Sequence, residues 1–195
     1  MRKLKLQMQL SVDGFVSPGK PGSQWQVWSF GPEWTWGPDL QRYHTDLTAS
    51  LDSVLLSRKM AEEGFIGHWA DMAQRKDNPQ SEFAGNITRA HKVVFSKTLK
   101  ASRWDNTDLA KGDLAQEVDA LKAKEGKDMI VYGGASFVSA LIKARLIDEY
   151  HLVINPVILG NGLAIFDKTD GMINLSLMDA QAYEKGMTVL IYTAK

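Results

Sequence analysis

Residues 129–137 constrain the fold of this chain most strongly, because a short apolar run ends at two glycines and a helical pattern follows at once. We interpret the segment as a strand, a tight turn and a helix. Gly133 and Gly134 carry no Cβ, so the backbone can take positive φ and a ligand can approach its N–H groups closely. Free N–H groups at a helix N-terminus favour an anion such as a phosphate, with Ser136 as a further donor or a cap. The alternative is a turn that needs glycine for its geometry alone.

Two other segments place a small hydroxyl beside a cation where a predicted strand ends. Ser57-Arg58-Lys59 follows the strand predicted over residues 52–57, and Ser96-Lys97-Thr98 closes the strand predicted over residues 92–96. Two cations at the start of a helix are unfavourable beside the positive end of its dipole, so either an anionic ligand or solvent accommodates them. Ligands of α/β proteins bind beyond the carboxyl ends of the strands. We therefore expect these segments and the glycine pair to form one anion site.

Strands and helices alternate along most of the chain, which predicts an α/β fold with a mostly parallel sheet. The apolar and polar residues alternate over residues 4–10, which predicts a half-buried strand, whereas residues 64–79 are predicted to be irregular. A hairpin through residues 184–186 predicts an antiparallel C-terminal edge. Residues 1–195 contain no repeat or linker and are predicted to form a single domain. Further strands are predicted at 129–132, 148–158, 175–182 and 187–193, helices at 38–50, 113–125 and 137–146, and a helical turn at 84–89.

The composition excludes several classes of function. The chain has 23 basic and 23 acidic residues, a balance that predicts no nucleic-acid partner and no anionic membrane surface as a partner. It has no cysteine, which excludes disulfides, zinc–thiolate sites and thiol catalysis. The four histidines show no metal-ligand spacing, so no metal is expected. No apolar run has the length of a signal peptide or a membrane span. We therefore expect a soluble cytoplasmic protein that acts on a small molecule.

Four tryptophans lie between residues 24 and 36, at Trp25, Trp28, Trp34 and Trp36. Loops rarely carry so much indole. The segment either folds back as a lid on the core or forms an aromatic wall for a planar ligand.

Five segments, taken in chain order, carry a family resemblance. They are Leu10-Ser11-Val12-Asp13-Gly14, Leu55-Leu56-Ser57-Arg58-Lys59, Val93-Val94-Phe95-Ser96-Lys97-Thr98-Leu99, Val131-Tyr132-Gly133-Gly134-Ala135 and Pro156-Val157-Ile158-Leu159-Gly160-Asn161-Gly162. Through them nearly the whole chain resembles the dihydrofolate reductase-like superfamily. The resemblance is strongest to the branch that contains the C-terminal reductase domain of bifunctional riboflavin-biosynthesis proteins.

The resemblance implies a three-layer fold, with helices on both faces of a mixed sheet of about eight strands. It implies NADPH as the cofactor and hydride transfer to a small pterin-like or pyrimidine-like heterocycle, similar to the reaction of 5-amino-6-(5-phosphoribosylamino)uracil reductase. It also implies a homodimer. A non-catalytic nucleotide-binding module that retains the cofactor cleft is the alternative function.

By position, the resemblance also implies which residues contact the cofactor. Those near the nicotinamide would be Val12, Gly14 and Val16. Those near the pyrophosphate or the adenosine phosphate would be Ser57, Arg58 and Lys59. Those near the 2′-phosphate would be Ser96, Lys97 and Thr98, because this phosphate needs a cation and hydroxyl donors. The pyrophosphate would lie on Gly133, Gly134, Ala135, Ser136 and Phe137. The family usually has Gly-Arg-Lys-Thr where this chain has Ser57 to Met60, so a glycine and a hydroxyl are missing.

Hydride transfer also requires a proton. Candidates to deliver or orient it are Asp13, at the end of the first strand, and Asp39, Asp46 or His44 on the helix that follows. Dihydrofolate reductase carries its acid on this helix, near the positions of Asp39 and Asp46. A carboxylate in an apolar cleft can have a raised pKa and act as an acid, although its commoner roles are capping and solvated surface.

Overall fold

A computed structural model of the protein describes residues 1–20, 25–26 and 36–195. The strands are β1 Leu4–Ser11, β2 Phe15–Pro18, β3 Leu51–Ser57, β4 His91–Phe95, β5 Thr107–Ala110, β6 Asp128–Val131, β7 Glu149–Asn155, β8 Gly162–Ala164, β9 Leu175–Ala182 and β10 Thr188–Ala194. The helices are α1 Pro38–Ala49, α2 Arg58–Glu62, α3 Phe65–Gln74, α4 Ser81–Arg89, α5 Leu114–Lys122 and α6 Ala135–Lys143. A single 3₁₀ turn, Glu184–Gly186, joins β9 to β10.

Eight of these strands form one sheet in the order β5-β4-β3-β6-β1-β7-β10-β9. Neighbours from β5 to β7 run parallel, and β10 pairs antiparallel with both β7 and β9. The predicted α/β class, the mostly parallel sheet and the antiparallel C-terminal edge are therefore confirmed. Strands β2 and β8 form a separate two-stranded sheet.

Helices cover both faces of the sheet and enclose two hydrophobic cores. On one face α1, α3 and α4 pack against Val54, Leu56 and Ile130. On the other, α5 and α6 pack against Leu55 and Val131. The central strands are apolar on both sides because both sides are buried, as is usual in a parallel sheet. None of the helices in the described part of the chain is long and apolar enough to cross a bilayer.

The prediction of a half-buried first strand was wrong. Strand β1 lies between β6 and β7 in the middle of the sheet, and the two glutamines on its polar side are buried. Gln7 and Gln9 are only 3% and 8% exposed. Their alternation with leucine therefore reflects a buried polar row and not a solvated face.

The prediction that residues 64–79 are irregular was also wrong, because α3 occupies most of them. Phe65, Trp69 and Met72 recur at helical spacing, and Trp69 and Met72 are buried in the core. Gly64 begins the helix with φ at 101°, a left-handed conformation that glycine adopts without strain. Two further elements were missed, β5 and the β2–β8 pair. Both are short, and β2 contains a proline that a separate two-stranded sheet tolerates.

Candidate functional site

The carboxyl ends of three adjacent strands bring the predicted anion-binding segments together. In the sheet β3 lies between β4 and β6, so the segments after Ser57, Phe95 and Val131 share one edge. Contacts across this edge are direct, since the rings of Phe95 and Phe137 lie 5.0 Å apart. The expectation that the three segments are neighbours is confirmed.

The glycine pair forms the turn that begins α6. Gly134 is the residue that precedes the helix, with φ at 69°. Its carbonyl accepts hydrogen bonds from the N–H groups of Phe137 and Val138, at 2.8 and 2.9 Å. The N–H groups of Ala135 and Ser136 belong to the first helical turn, where the helix itself offers no acceptor. No side chain in the described part of the chain caps this helix, so Ser136 does not have the capping role that was one of its two expected roles.

Ser57 and Gly134 fit closely against each other. An ideal Cβ built on Gly134 would lie 2.8 Å from the Ser57 hydroxyl oxygen, so a side chain at this position would have to displace the serine. The same hydroxyl accepts the N–H of Met60 at 3.2 Å and caps α2. Ser57 thus supplies an N-cap where the family usually has glycine.

The two cations that follow Ser57 are accommodated by carboxylates of the same segment. Arg58 donates to Glu62 at 2.7 Å, and the Lys59 ammonium lies 3.6 Å from Glu63. These pairs, four residues apart, offset the repulsion between the cations and the helix dipole. Both cations are exposed, and their position at this edge does not by itself require an anionic ligand.

In the segment after β4, Ser96 has a structural role, whereas Lys97 and Thr98 are exposed to solvent. The buried Ser96 hydroxyl accepts the N–H groups of Thr98 and Leu99, at 3.2 and 3.1 Å, and so fixes the turn. Lys97 and Thr98 are exposed at the tip. This turn therefore presents an ammonium and a hydroxyl to solvent beside the Ser57 segment.

A cavity of about 520 Å³ opens beside the glycine turn, between β1, the start of α3, and α4. We refer to it as the main cavity. Its lining is Gln7, Met8, Gln9, Val16, Gln26, Met60, Glu63, Gly64, Phe65, His68, Trp69, Phe83 and Tyr132. An ideal Cβ on Gly133 would lie 3.8 Å from Cε of Met8 and 3.9 Å from Cε of Met60, so the glycine turn adjoins the cavity wall. The cavity is largely apolar and aromatic, which suits a planar ligand.

The family model of the RibD C-terminal domain matches residues 2–189. The chain belongs to this family. Uncharacterized protein YyaP of Bacillus subtilis (strain 168) is 29% identical over 195 residues, which cover 98% of this chain and 94% of YyaP. Uncharacterized protein YwjB of the same strain is 30% identical over 63 residues, or 32% of this chain and 36% of YwjB.

Solved structures show the fold of the RibD C-terminal domain over the entire chain. A putative riboflavin biosynthesis protein from Shewanella sp. PV-4 has a TM-score of 0.70 at 18% identity, covering 100% of this chain and 99% of that one. A diaminohydroxyphosphoribosylaminopyrimidine deaminase/5-amino-6-(5-phosphoribosylamino)uracil reductase from Thermotoga maritima has a TM-score of 0.66 at 14% identity. This domain covers 57% of the Thermotoga protein. The dihydrofolate reductase-like fold implied by the sequence resemblance is confirmed.

Three of the predicted cofactor residues precede β2 or lie within it. Val16 lines the main cavity. Val12 is 61% exposed, and its N–H donates to the carbonyl of Val157 at 2.9 Å. Gly14 has φ at 86°, with its N–H donating to Ser11. This RibD C-terminal domain therefore brings only Val16 of the three to the cavity wall.

The candidate proton donors lie away from the main cavity. Asp13 is exposed and accepts the N–H groups of Leu159 and Gly160, at 3.1 and 2.7 Å. A hydrogen bond from Ser11 and these two amides hold its pKa below the ordinary value, so it stays ionised and fixes the loop after β7. His44 is fully buried, and burial lowers its pKa to about 3, so the ring is neutral at physiological pH.

Asp39 and Asp46 are exposed on α1 and line a second cavity of about 520 Å³ between α1 and the C-terminal strands. Asp39 lies 3.8 Å from Arg42. The other described lining residues are Arg42, Tyr43, Leu47, His151, Gln181 and Tyr183. The structure thus separates these two carboxylates from the residues of the carboxyl edge, and their catalytic role stays a prediction. Elsewhere in the described ranges, no three acidic or histidine side chains converge in a way that could hold a metal.

The tryptophan-rich segment contributes to the core at one end. Trp36 is buried and its ring lies 4.1 Å from that of His44. Trp25 is half-buried. Trp28 and Trp34 lie outside the described residues. Only Gln26 of the described part of this segment lines the main cavity.

A buried hydrogen-bonded chain lies on the α1 side of β7. Glu149 accepts from His151 Nε2 at 2.7 Å, and Nδ1 of the same ring accepts the Tyr43 hydroxyl at 2.5 Å. Lys5 and Lys3 lie 3.6 and 3.4 Å from Glu149. The hydrogen bond from His151 holds the pKa of Glu149 at about 2, against an ordinary value of 4.5. Burial raises the pKa of Tyr43, which therefore stays protonated as the donor.

This chain predicts a specific dependence of stability on pH. Because its folded pKa is lowered, Glu149 stabilises the protein above its unfolded pKa of 4.5, and this contribution is lost as the pH falls towards 2. The shift corresponds to on the order of 3 kcal/mol. In urea unfolding, we expect the free energy of unfolding of Glu149→Gln to lie furthest below that of the wild type near neutral pH. The two values should converge as the pH falls from 4.5 towards 2. Glu63→Gln, which changes an exposed carboxylate, is the control. Equal pH slopes for the wild type and Glu149→Gln would contradict the assignment.

Proposed function

We propose that this RibD C-terminal domain is an NADPH-dependent oxidoreductase that transfers a hydride to a small planar heterocycle. The observation that carries the proposal is one continuous surface at the carboxyl edge of the sheet. The surface has an exposed ammonium and hydroxyl at Lys97 and Thr98, the first amides of α6 after Gly134, and the main cavity beside Gly133. A dinucleotide with an anionic centre and an aromatic end requires these three features in this order.

The donors present fit the cofactor. The amides of Ala135 and Ser136 would hold the pyrophosphate, and a side chain at Gly134 would have to displace Ser57. Lys97 and Thr98 would hold the 2′-phosphate through a charge-assisted pair and a hydroxyl. When bound, the reduced nicotinamide supplies the hydride.

The contribution of the protein chain is mainly to position the reactants and to exclude water. Phe65, Trp69 and Phe83 line the main cavity, and an aromatic wall can hold a planar ring in a fixed plane. Such positioning accounts for much of the rate enhancement in reactions that require little covalent participation by the protein. The reductase named in the Thermotoga relative acts on an aminouracil, which makes aminouracils the first substrates to test.

A non-catalytic nucleotide-binding module is the second candidate. It is favoured by the placement of Asp13, His44, Asp39 and Asp46, none of which is among the described residues that line the main cavity.

Titration with NADPH and NADP⁺, followed by a spectrophotometric assay, separates the two functions. We expect saturable NADPH binding, and oxidation of NADPH when a pterin, a pyrimidine or a ribosylated aminouracil is added. Binding without oxidation by any of these compounds would favour the non-catalytic module. No saturable binding at millimolar NADPH would reject both functions.

A further inference from the structure

Two residues that line the main cavity each carry a buried polar atom for which the described residues supply no hydrogen-bond partner. The side-chain nitrogen of Gln7 is one, in a residue that is only 3% exposed. The hydroxyl of Tyr132 is the other, and burial raises its pKa well above the ordinary value, so it remains a protonated donor. Both residues line the cavity. Buried donors are nearly always paired, because an unpaired one costs free energy on folding.

The sheet register places these two residues side by side. Leu6 pairs with Val131 in the parallel β1–β6 ladder, and one further step along that register brings Gln7 level with Tyr132. Side chains of adjacent strands at one level point to the same face of the sheet. Ile130 and Tyr132 both belong to the core on the α1 side, so the two donors lie on the face that bounds the cavity.

Two of the other polar residues of the cavity bear on the kind of ligand that it accepts. Gln9 is already engaged, since its side-chain oxygen accepts from Asn155 at 3.2 Å. Glu63 is the one carboxylate among the described lining residues, and it is exposed and faces Lys59 at 3.6 Å. The described cavity thus presents buried donors and no buried carboxylate. This arrangement suits an uncharged ring with an oxygen acceptor better than a protonated ring.

We propose that Gln7 and Tyr132 form a subsite that donates two hydrogen bonds to a carbonyl oxygen of a neutral ring, and so select oxo-substituted heterocycles over their amino counterparts. The inference rests on the proposed function, because it places the acceptor substrate in the main cavity. A ring carbonyl would satisfy both donors at once. The discrimination would arise mainly from the penalty for leaving these donors unpaired when an amino group takes the place of the oxygen.

The test compares two probes that share one ring. 5,6-Diaminouracil carries two ring carbonyls, and 2,4,5,6-tetraaminopyrimidine carries amino groups in their place. In calorimetric titrations with saturating NADP⁺ present, we expect the wild type to bind the diaminouracil at least about tenfold more tightly. Gln7→Leu and Tyr132→Phe should each reduce this preference about tenfold, while the thermal unfolding temperature stays the same or rises, because a buried unpaired group has been removed.

Ser139→Ala is the matched control. The Ser139 hydroxyl is also buried with no hydrogen-bond partner among the described residues, but it lies on α6 and is not part of the main cavity. Its removal should leave the preference for the diaminouracil unchanged. Equal affinity of the wild type for the two probes, binding of neither probe, or a preference that survives both Gln7→Leu and Tyr132→Phe would overturn the inference. A separate NADPH titration without either ring judges the proposed function independently.

Discussion

Gly134→Val is expected to weaken NADPH binding by at least about 100-fold, the largest effect that we predict for a single substitution. A Cβ at this position would lie 2.8 Å from the Ser57 hydroxyl oxygen, and the residue has φ at 69°. A branched side chain must therefore displace Ser57 and cover the first amides of α6. Holding a non-glycine residue at this φ costs about 1–3 kcal/mol, so a folded but less stable protein is expected. Calorimetric titration with NADPH measures the affinity, and circular dichroism checks the fold.

Backbone strain and loss of the anion site can be separated with two further variants. Gly171 has φ at 85° and no atom within 4 Å of an ideal Cβ, and it does not line the main cavity. Gly171→Val therefore introduces similar strain outside the site and should leave NADPH affinity unchanged. Gly134→Ala is a milder form of the change, for use if the valine variant does not fold. A folded Gly134→Ala or Gly134→Val protein with wild-type NADPH affinity would show that the glycine serves the turn alone.

Lys97→Ala is expected to weaken NADPH about 10- to 100-fold, the range for loss of a charge-assisted hydrogen bond. The affinity for NADH should change less than about twofold, because NADH lacks the 2′-phosphate that the ammonium is proposed to contact. Lys97 is exposed at the tip of the turn that Ser96 fixes, so the substitution should not disturb the fold. Parallel titrations with the two cofactors give the ratio directly.

Lys100→Ala provides the matched control for this substitution. Lys100 is an exposed lysine of the same loop, and its removal changes the net charge equally. Its effect on NADPH should be small and should diminish with added salt, as for any remote surface charge. Equal weakening of NADPH and NADH by Lys97→Ala would contradict the assignment of Lys97 to the 2′-phosphate.

The arrangement of the carboxyl edge could be predicted from the sequence for a simple physical reason. Parallel strands end at the same side of a sheet, so identifying the strands before Ser57, Ser96 and Gly133 was enough to bring the three segments together. The pairing of Arg58 and Lys59 with Glu62 and Glu63 was also predictable from their spacing of four residues, although only a ligand or solvent was expected beside the two cations.

The main cavity could not be predicted, because it depends on which faces of the strands are covered. Alternation in the first strand indicates a polar face, and only the tertiary structure shows that this face is buried and borders a cavity. Gln7 and Gln9 were therefore assigned to solvent. The sequence did contain one indication of a polar site: two glutamines lie within an apolar strand that ends at the predicted ligand-binding edge of the sheet. Tyr132 was predicted only as the last residue of a strand, and Trp69 lay in a segment predicted to be irregular.

A crystal structure of the protein grown with NADPH tests the central claim most directly. We predict electron density for the 2′-phosphate beside Lys97 and Thr98, for the pyrophosphate on the amides of Ala135 and Ser136, and for the nicotinamide at the mouth of the main cavity. A cofactor bound elsewhere on the chain, or an empty carboxyl edge at saturating NADPH, would contradict the proposed function.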